Sequence, residues 1–286
     1  MITAQTAVYG VIGHPIDHSL SPQIHDYFAR GTDQDICYPV FHVLPERLGE
    51  AIKGAHRLGI QGLNVTIPHK QACVPYVCRL DKTAEAIGAV NTLVYEAEGY
   101  AGYNTDYLGA YMSLKVMGID IAGKPVVVIG AGGTAHAACV MAAEKGASEI
   151  TIANRTPENA ESLAGRVRSL YSLPVTAIPL SGLKDVTRKD VVIEATSAGF
   201  KDQAEICPVG SANFFEGVTA ALEVIYMPWE TKFLKMAKSK GVPAVNGFPA
   251  LVFQAAASFE IWRGLTLTEA FLKKAAADLE ALVRPA

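Results

Sequence analysis

The chain is poor in the features that would mark several protein classes. It has only five cysteines in 286 residues: Cys37, Cys73, Cys78, Cys139 and Cys207. An odd count without a C-x-x-C pair excludes a disulfide framework and a zinc ribbon. The expectation is five reduced thiols in a cytoplasmic protein, most of them buried. Charge is scarce and balanced: charged residues make up 19%, and 25 basic against 28 acidic residues leave −3. Without a basic footprint, nucleic acid is not expected as a partner. Low charge beside 50% hydrophobic residues excludes disorder. The 25 glycines and 15 prolines follow no period, which excludes a collagen-like chain. The N-terminus, MITAQTAVYG, lacks a basic n-region and a long apolar run, so no signal peptide is expected. One uncharged stretch of 19 residues lies between Lys124 and Glu144. It carries Gly130, Gly132, Gly133, Thr134 and His136 in its middle, so no membrane span is expected there.

What is present is an alternation of short apolar runs and helix-like stretches, the pattern of an α/β protein. The length suits one large domain or two ordinary ones. In the first part, strands are expected at Ala7–Ile12, Tyr38–Leu44 and Gly62–Thr66, with helices at Pro22–Ala29 and Glu46–Leu58. A hairpin is expected from Thr92–Tyr95 and Tyr100–Tyr103. The pattern restarts after residues 105–120 with an apolar strand, Pro125–Ile129. Two helices, Pro249–Trp262 and Leu267–Val283, close the chain.

The segment PVVVIGAGGTAHAA runs from that strand into Gly130-x-Gly132-x-x-Ala135 and then a helix. This is the dinucleotide fingerprint in its strand–turn–helix setting. Gly130 permits the tight turn, Gly132 admits a pyrophosphate, and small Ala135 lets the helix pack on the strand. The helix N-terminus offers N–H groups and partial positive charge to the phosphate. At the end of the next strand stands Asn154-Arg155-Thr156 rather than an acidic residue. A guanidinium suits a 2′-phosphate, so NADP is expected over NAD.

Three other segments carry candidate chemistry. In GHPIDHSLSP, Ser19 and Ser21 stand two apart beside a helix start, an arrangement that suits a carboxylate. Ser21 before Pro22 also reads as a plain helix cap. His14, His18 and His25 read as hydrogen-bonded structural histidines, and no metal is assigned. In GLNVTIPHK, Asn64 and Thr66 share one face of a strand end, and Pro68 places Lys70 in the first turn of a helix. A cation there faces a partially positive terminus, which primes it to release its proton. In GYNTDYLG, Asp106 stands at a loop-to-helix junction. It is either a helix cap or the partner of Lys70 in proton transfer.

These segments, with GAVNTL, NRT, ATSAGF, YMPWET and FPALVFQAAASFEIW, occur in the order seen in the shikimate/quinate dehydrogenase family. The chain resembles that family over nearly its whole length. The resemblance implies two α/β domains. Residues 1–108, completed by helices in 248–286, would form a mixed-sheet substrate domain, and 109–247 a Rossmann-like NAD(P)-binding domain. It implies that Lys70 and Asp106 are the catalytic pair, and that Ser19, Ser21, Asn64, Thr66, Asn91, Tyr226 and Gln254 hold the substrate. Gly130, Ala131, Gly132, Gly133, Thr134 and Ala135 would bind the pyrophosphate, and Asn154, Arg155 and Thr156 the 2′-phosphate. Thr196, Gly199 and Gly247 would lie along the cofactor. The implied reaction is reversible NADP-dependent reduction of 3-dehydroshikimate to shikimate, by a monomer or homodimer.

The chain departs from the family pattern at several points. Asn159 stands where a second basic residue is common, and His136 replaces an arginine. Glu194 replaces asparagine, Glu223 replaces aspartate, and Pro249-Ala250 replaces Gly-Met. These differences admit a paralogue that uses NAD or acts on quinate or an aminated analogue. A non-catalytic ligand-sensing module would be expected to lose the Lys/Asp pair, and both residues are present.

Overall fold

A computed structural model describes residues 2–200 and 203–284 of the chain. Two compact units form: Met1–Asp106 with Leu251–Val283, and Tyr107–Ala250 joined by Arg284 from the end of the chain. Among the described residues no helix is long and apolar enough to cross a membrane.

The first unit begins with β1 (Ala7–Gly13), α1 (Ser21–Gly31), β2 (Ile36–Cys37), β3 (Val40–His42) and α2 (Leu48–Arg57). It continues with β4 (Gly62–Val65), α3 (His69–Ala72), β5 (Arg79–Leu80), α4 (Lys82–Ile87), β6 (Thr92–Glu96) and β7 (Gly99–Tyr103). The strands form a mixed sheet of order β2-β1-β4-β6-β7-β5, with β3 also on β1. The β1, β2, β3 and β4 pairings are parallel, while β4, β6 and β7 pair antiparallel. Ile12, Leu63, Val65 and Leu93 of the sheet pack with Leu48 and Ile52 of α2 in one core.

The strand expected at Tyr38–Leu44 holds only over Val40–His42 as β3, and β2 at Ile36–Cys37 lies before it on the other side of Pro39. Pro39 has no N–H to give a ladder, although its carbonyl accepts from Val11. The helix expected from Glu46 starts with a 3₁₀ turn at Pro45–Arg47 and becomes α-helical only at Leu48. The strands β2, β5 and, in the second unit, Val175–Pro179 had no prior expectation, nor did α4. The signal for α4 is local: Asp81 caps it by accepting from Thr83 and Ala84, and Gly88 ends it with φ +71°.

The chain continues through α5 (Asp106–Val116), β8 (Pro125–Ile129), α6 (Gly133–Glu144), β9 (Glu149–Asn154) and α7 (Pro157–Leu170). Then come β10 (Val175–Pro179), β11 (Val191–Glu194), β12 (Ala220–Glu223), α8 (Lys232–Ser239) and β13 (Ala244–Val245). The strand order β10-β9-β8-β11-β12-β13 is wholly parallel. β8 is apolar throughout and β11 up to its final Glu194, because both faces of the sheet are covered. The order reverses direction between β8 and β11, the point at which such sheets bind ligands beyond their strand ends.

α9 (Phe248–Arg263) and α10 (Glu269–Val283) close the chain. Trp262 of α9 fixes this return to the first unit. Its indole N–H donates to Leu93 O at 2.9 Å and its ring packs on Tyr9. Gly62 leaves no room for a side chain beneath that indole. All five thiols are free, but only Cys73 and Cys139 are buried, so the expectation that most are buried fails. Cys78 is exposed beside the hairpin, and Cys37 and Cys207 are half-buried.

Candidate active site

The Lys70 ammonium donates to Asp106 Oδ2 at 2.6 Å. Both side chains are largely enclosed, at 14% and 10% exposure. Lys70 rides on α3, a single four-residue turn, so the helix-terminus argument for its reactivity is weak and the carboxylate is its strong neighbour. The Lys70 carbonyl accepts from Val90 N–H at 2.8 Å, which ties α3 to the segment leading into β6. Asp106 opens α5 but does not cap it. Its own N–H donates to Asn104 Oδ1 at 3.0 Å, leaving the carboxylate to face Lys70 and Asn91.

Asn91 is the hub of this region. Its amide nitrogen reaches Asp106 Oδ1 at 3.0 Å, Thr105 Oγ1 at 2.9 Å and Gln254 Oε1 at 3.2 Å. Its oxygen accepts from Thr105 N–H and the Thr92 hydroxyl, each at 2.8 Å. Ser258 of α9 joins Thr92 at 2.7 Å and Thr105 at 3.1 Å. The chain of polar groups continues to Asn64, whose nitrogen donates to Ser258 Oγ at 3.0 Å. Asn64 Oδ1 accepts from Tyr38 OH at 2.5 Å and from His25 Nε2 at 3.2 Å. This last contact makes Nε2 the protonated nitrogen of a neutral imidazole. Burial pushes the His25 pKa down to about 3, against a smaller opposing effect of Asn64.

Sequence reasoning placed Lys70, Asp106, Asn91, Gln254 and Asn64 in one site, and they lie in one hydrogen-bonded assembly. It missed Thr92, Thr105 and Ser258, the buried hydroxyls that join them. Two of these adjoin residues already singled out, and Ser258 is one helical turn beyond Gln254. Ser21 is corrected as a cap: it is the first residue of α1, a helix with no side-chain cap, and it is buried. Ser19 does the local work instead, its Oγ accepting from Ser21 N–H at 3.3 Å. Thr66 is half-buried after β4, its methyl against Gly13. Tyr226 lies in the second unit after β12, with burial pushing its pKa up to about 12.

In the second unit Gly130 has φ +117°, and a Cβ there would stand 2.9 Å from Ala195 O. Only glycine fits that turn. A Cβ on Gly132 would enter open space, so this backbone is approachable from outside. Gly132 begins α6 without a side-chain cap, Gly133 and Thr134 form the first turn, and Ala135 is fully buried. Ala131, between the glycines, is half-buried. Asn154 Nδ2 donates to Thr156 O at 2.9 Å and shapes the turn after β9. Arg155 is exposed there, with no hydrogen bond or ion pair among the described residues. Gly247 is glycine for packing, because the Val224 carbonyl leaves no room for a Cβ.

Residues 11–93 match the family described as shikimate dehydrogenase substrate binding domain, and residues 112–201 match shikimate / quinate 5-dehydrogenase. A relative from Caldanaerobacter subterraneus, named shikimate dehydrogenase (NADP(+)), is 40% identical over 92% of this chain and 94% of its own length. The chain belongs to the shikimate dehydrogenase family. A crystal structure of a shikimate dehydrogenase in complex with NADP+ superposes with a TM-score of 0.87 at 38% identity, covering 97% of each chain. That of the Thermus thermophilus enzyme with NADP(H) and shikimate gives 0.83 at 31% identity, covering 96% of this chain and 99% of that one. Like other shikimate dehydrogenases, the chain has a substrate-domain fold followed by a Rossmann-like one. Three of the departures expected from the family pattern have a clear place in the fold. Asn159 leaves Arg155 without a second cation on the exposed start of α7, and Glu194 and Glu223 introduce longer acids into the buried strand ends.

Proposed function

We propose that this chain catalyses the reversible NADP-dependent reduction of 3-dehydroshikimate to shikimate. The observation that carries the reading is the enclosed Lys70–Asp106 pair, 2.6 Å apart and braced by Asn91. In the reducing direction Lys70 donates a proton from Nζ to the substrate oxygen as the carbonyl becomes a hydroxyl. Asp106 holds Nζ in place for the transfer. In the oxidising direction the neutral amine takes the hydroxyl proton back. Proton transfer by a positioned group contributes about 10²–10⁴-fold to rate. Ser19, Ser21, Asn64, Thr66, Asn91, Tyr226 and Gln254 are assigned to the acid and its ring hydroxyls. Their roles differ: Asn64 and Asn91 are already held by protein partners and set the shape of the pocket wall.

The second unit fits a nicotinamide dinucleotide. The Gly130 turn, the approachable Gly132 backbone and the uncapped start of α6 suit a pyrophosphate. The exposed Arg155 guanidinium suits the 2′-phosphate. NADPH, when bound, supplies the hydride. Thr196, Gly199 and Gly247 are assigned to its nicotinamide half.

The test is Lys70→Ala assayed with shikimate and NADP⁺. Turnover should fall about 10²–10⁴-fold with KM for shikimate little changed. Unchanged turnover would remove Lys70 from the chemistry. Faster turnover with quinate or with NAD⁺ would overturn the assigned substrate or cofactor.

A further inference from the structure

β11 and β12 end in glutamates that are register partners on neighbouring parallel strands, Glu194 and Glu223. Both side chains therefore leave the same face of the sheet. Both residues are wholly buried, and neither meets a cation in an ion pair among the described residues. Each commits one oxygen to a threonine. Glu194 Oε1 accepts from Thr196 N–H at 3.0 Å and from the Thr196 hydroxyl. Glu223 Oε2 accepts from the Thr231 hydroxyl at 2.6 Å. The other two oxygens, Glu194 Oε2 and Glu223 Oε1, have no hydrogen-bond partner among the described residues.

Adjacent buried carboxylates do not both ionise readily, because each charge has lost its water and opposes the other. One proton held between them gives a donor to the unpartnered oxygens and halves the buried charge. The surrounding groups leave this arrangement in place. Lys238 on α8 acts on Glu223 but is held by Glu230 at 2.6 Å. Among the described residues, Cys207 also feels both glutamates and Lys232, and burial keeps its thiol protonated. Burial pushes Glu194 up to about 7 and, with the charge of Glu194 adding to it, Glu223 up to about 8.

The two threonines shape the turn after β11. Thr196 Oγ1 accepts from Ala198 N–H at 3.0 Å, and Gly199, at φ +98°, packs on Thr231. Ala195 N–H donates to Ile129 O at 2.8 Å, and the Ala195 carbonyl abuts Gly130. The pair thus supports both the glycine loop and the turn beside it.

We propose that Glu194 and Glu223 are positioning residues that share a proton, and that this shared proton holds the Thr196–Gly199 turn in the form that binds the nicotinamide dinucleotide. The proposal rests on the assignment of that cofactor to this unit. Loss of the proton sets two carboxylates against each other and displaces the turn.

The test is calorimetric titration of the full chain and of Glu194→Gln and Glu223→Gln with NADP⁺, from about pH 6 to about pH 9. Affinity of the unsubstituted chain should fall by up to about tenfold per pH unit above pH 8, the limit for one linked proton. Each Gln variant keeps one buried carboxyl whose ionisation opposes no second carboxylate, so its affinity should fall less steeply over that range. Titration of the NADP⁺ phosphate, at about pH 6, is common to all and cancels in the ratio. Equal slopes in the three proteins would overturn the proposal. A second readout needs neither cofactor nor variant stability: carbon-13 NMR of the glutamate carboxyls in the ligand-free chain. Two coupled titrations above the ordinary glutamate range support the pair, and two independent ones within it refute it. An absence of NADP⁺ binding at every pH, with coupled carboxyls still seen, would sink the cofactor assignment while leaving the proton-sharing pair standing.

Discussion

Asn91→Ala separates the support of the proton-transfer pair from the pair itself. The substitution removes the amide that donates to Asp106 Oδ1 and accepts from Thr105 N–H. Thr92 and Thr105 keep Ser258 as a hydroxyl partner, so neither hydroxyl is orphaned. The Thr105 N–H is orphaned and buried, at a cost of about 1–3 kcal/mol. With the other lost bonds the first unit should lose about 2–4 kcal/mol. Asp106 also loses one of its two side-chain donors, a charge-assisted bond worth about 1.5–3 kcal/mol. Expressed at the transition state, this lowers turnover about 10–100-fold. Urea unfolding measures the first effect, as a lower midpoint at unchanged slope. Steady-state kinetics with shikimate and NADP⁺, at a temperature where the variant is folded, measure the second. A folded variant with kcat within about threefold of the parent, under 1 kcal/mol, would refute the bracing role of Asn91.

Arg155→Gln removes the exposed cation after β9 and should raise KM for NADP⁺ about 10-fold or more while leaving NAD⁺ kinetics unchanged. Equal effects on both cofactors would place the 2′-phosphate elsewhere. The two units should respond to pH with opposite signs. In the first, His25 is held neutral, with its pKa lowered from 6.5 to about 3, so its contribution is full above pH 6.5 and is lost as pH falls towards 3. In the second, Glu194 and Glu223 hold protons more tightly than in the unfolded chain. Their contribution is full below 4.5 and is lost as pH rises through about 7 and about 8. Each slope is at most about 1.4 kcal/mol per pH unit per group. Hydrogen exchange of the two units across this range reads the two slopes, and parallel slopes would contradict the assignment.

The parts of the molecule legible in the sequence were those where local pattern and tertiary role coincide. Pro125–Ile129 is apolar at every position because both faces of its sheet are covered, and Gly130 follows because the turn requires positive φ. The broken strand at Pro39 was missed because apolar flanking residues outweighed one proline, although its missing N–H was written in the sequence. Ser21 read as a cap because Ser-Pro is a common helix start, whereas α1 takes no side-chain cap and Ser19 Oγ accepts from the Ser21 N–H instead. Thr92, Thr105 and Ser258 were beyond reach for another reason. Their partnership joins residues up to 166 positions apart, and no spacing rule reports such a contact.

The interruption of the first unit also constrains how the chain is made. Tyr107–Ala250, nearly the whole of the second unit, is one continuous stretch and contains its whole parallel sheet, so that sheet is free to form as soon as the stretch is complete. The earlier strands must wait for α9, because Ser258 completes the hydroxyl cluster and Trp262 covers Gly62. During synthesis, Lys70 and Asp106, the pair to which proton transfer is assigned, are therefore made first and gain their final surroundings last. A ribosome stalled near residue 250 would hold a finished nucleotide fold beside an unfinished catalytic one.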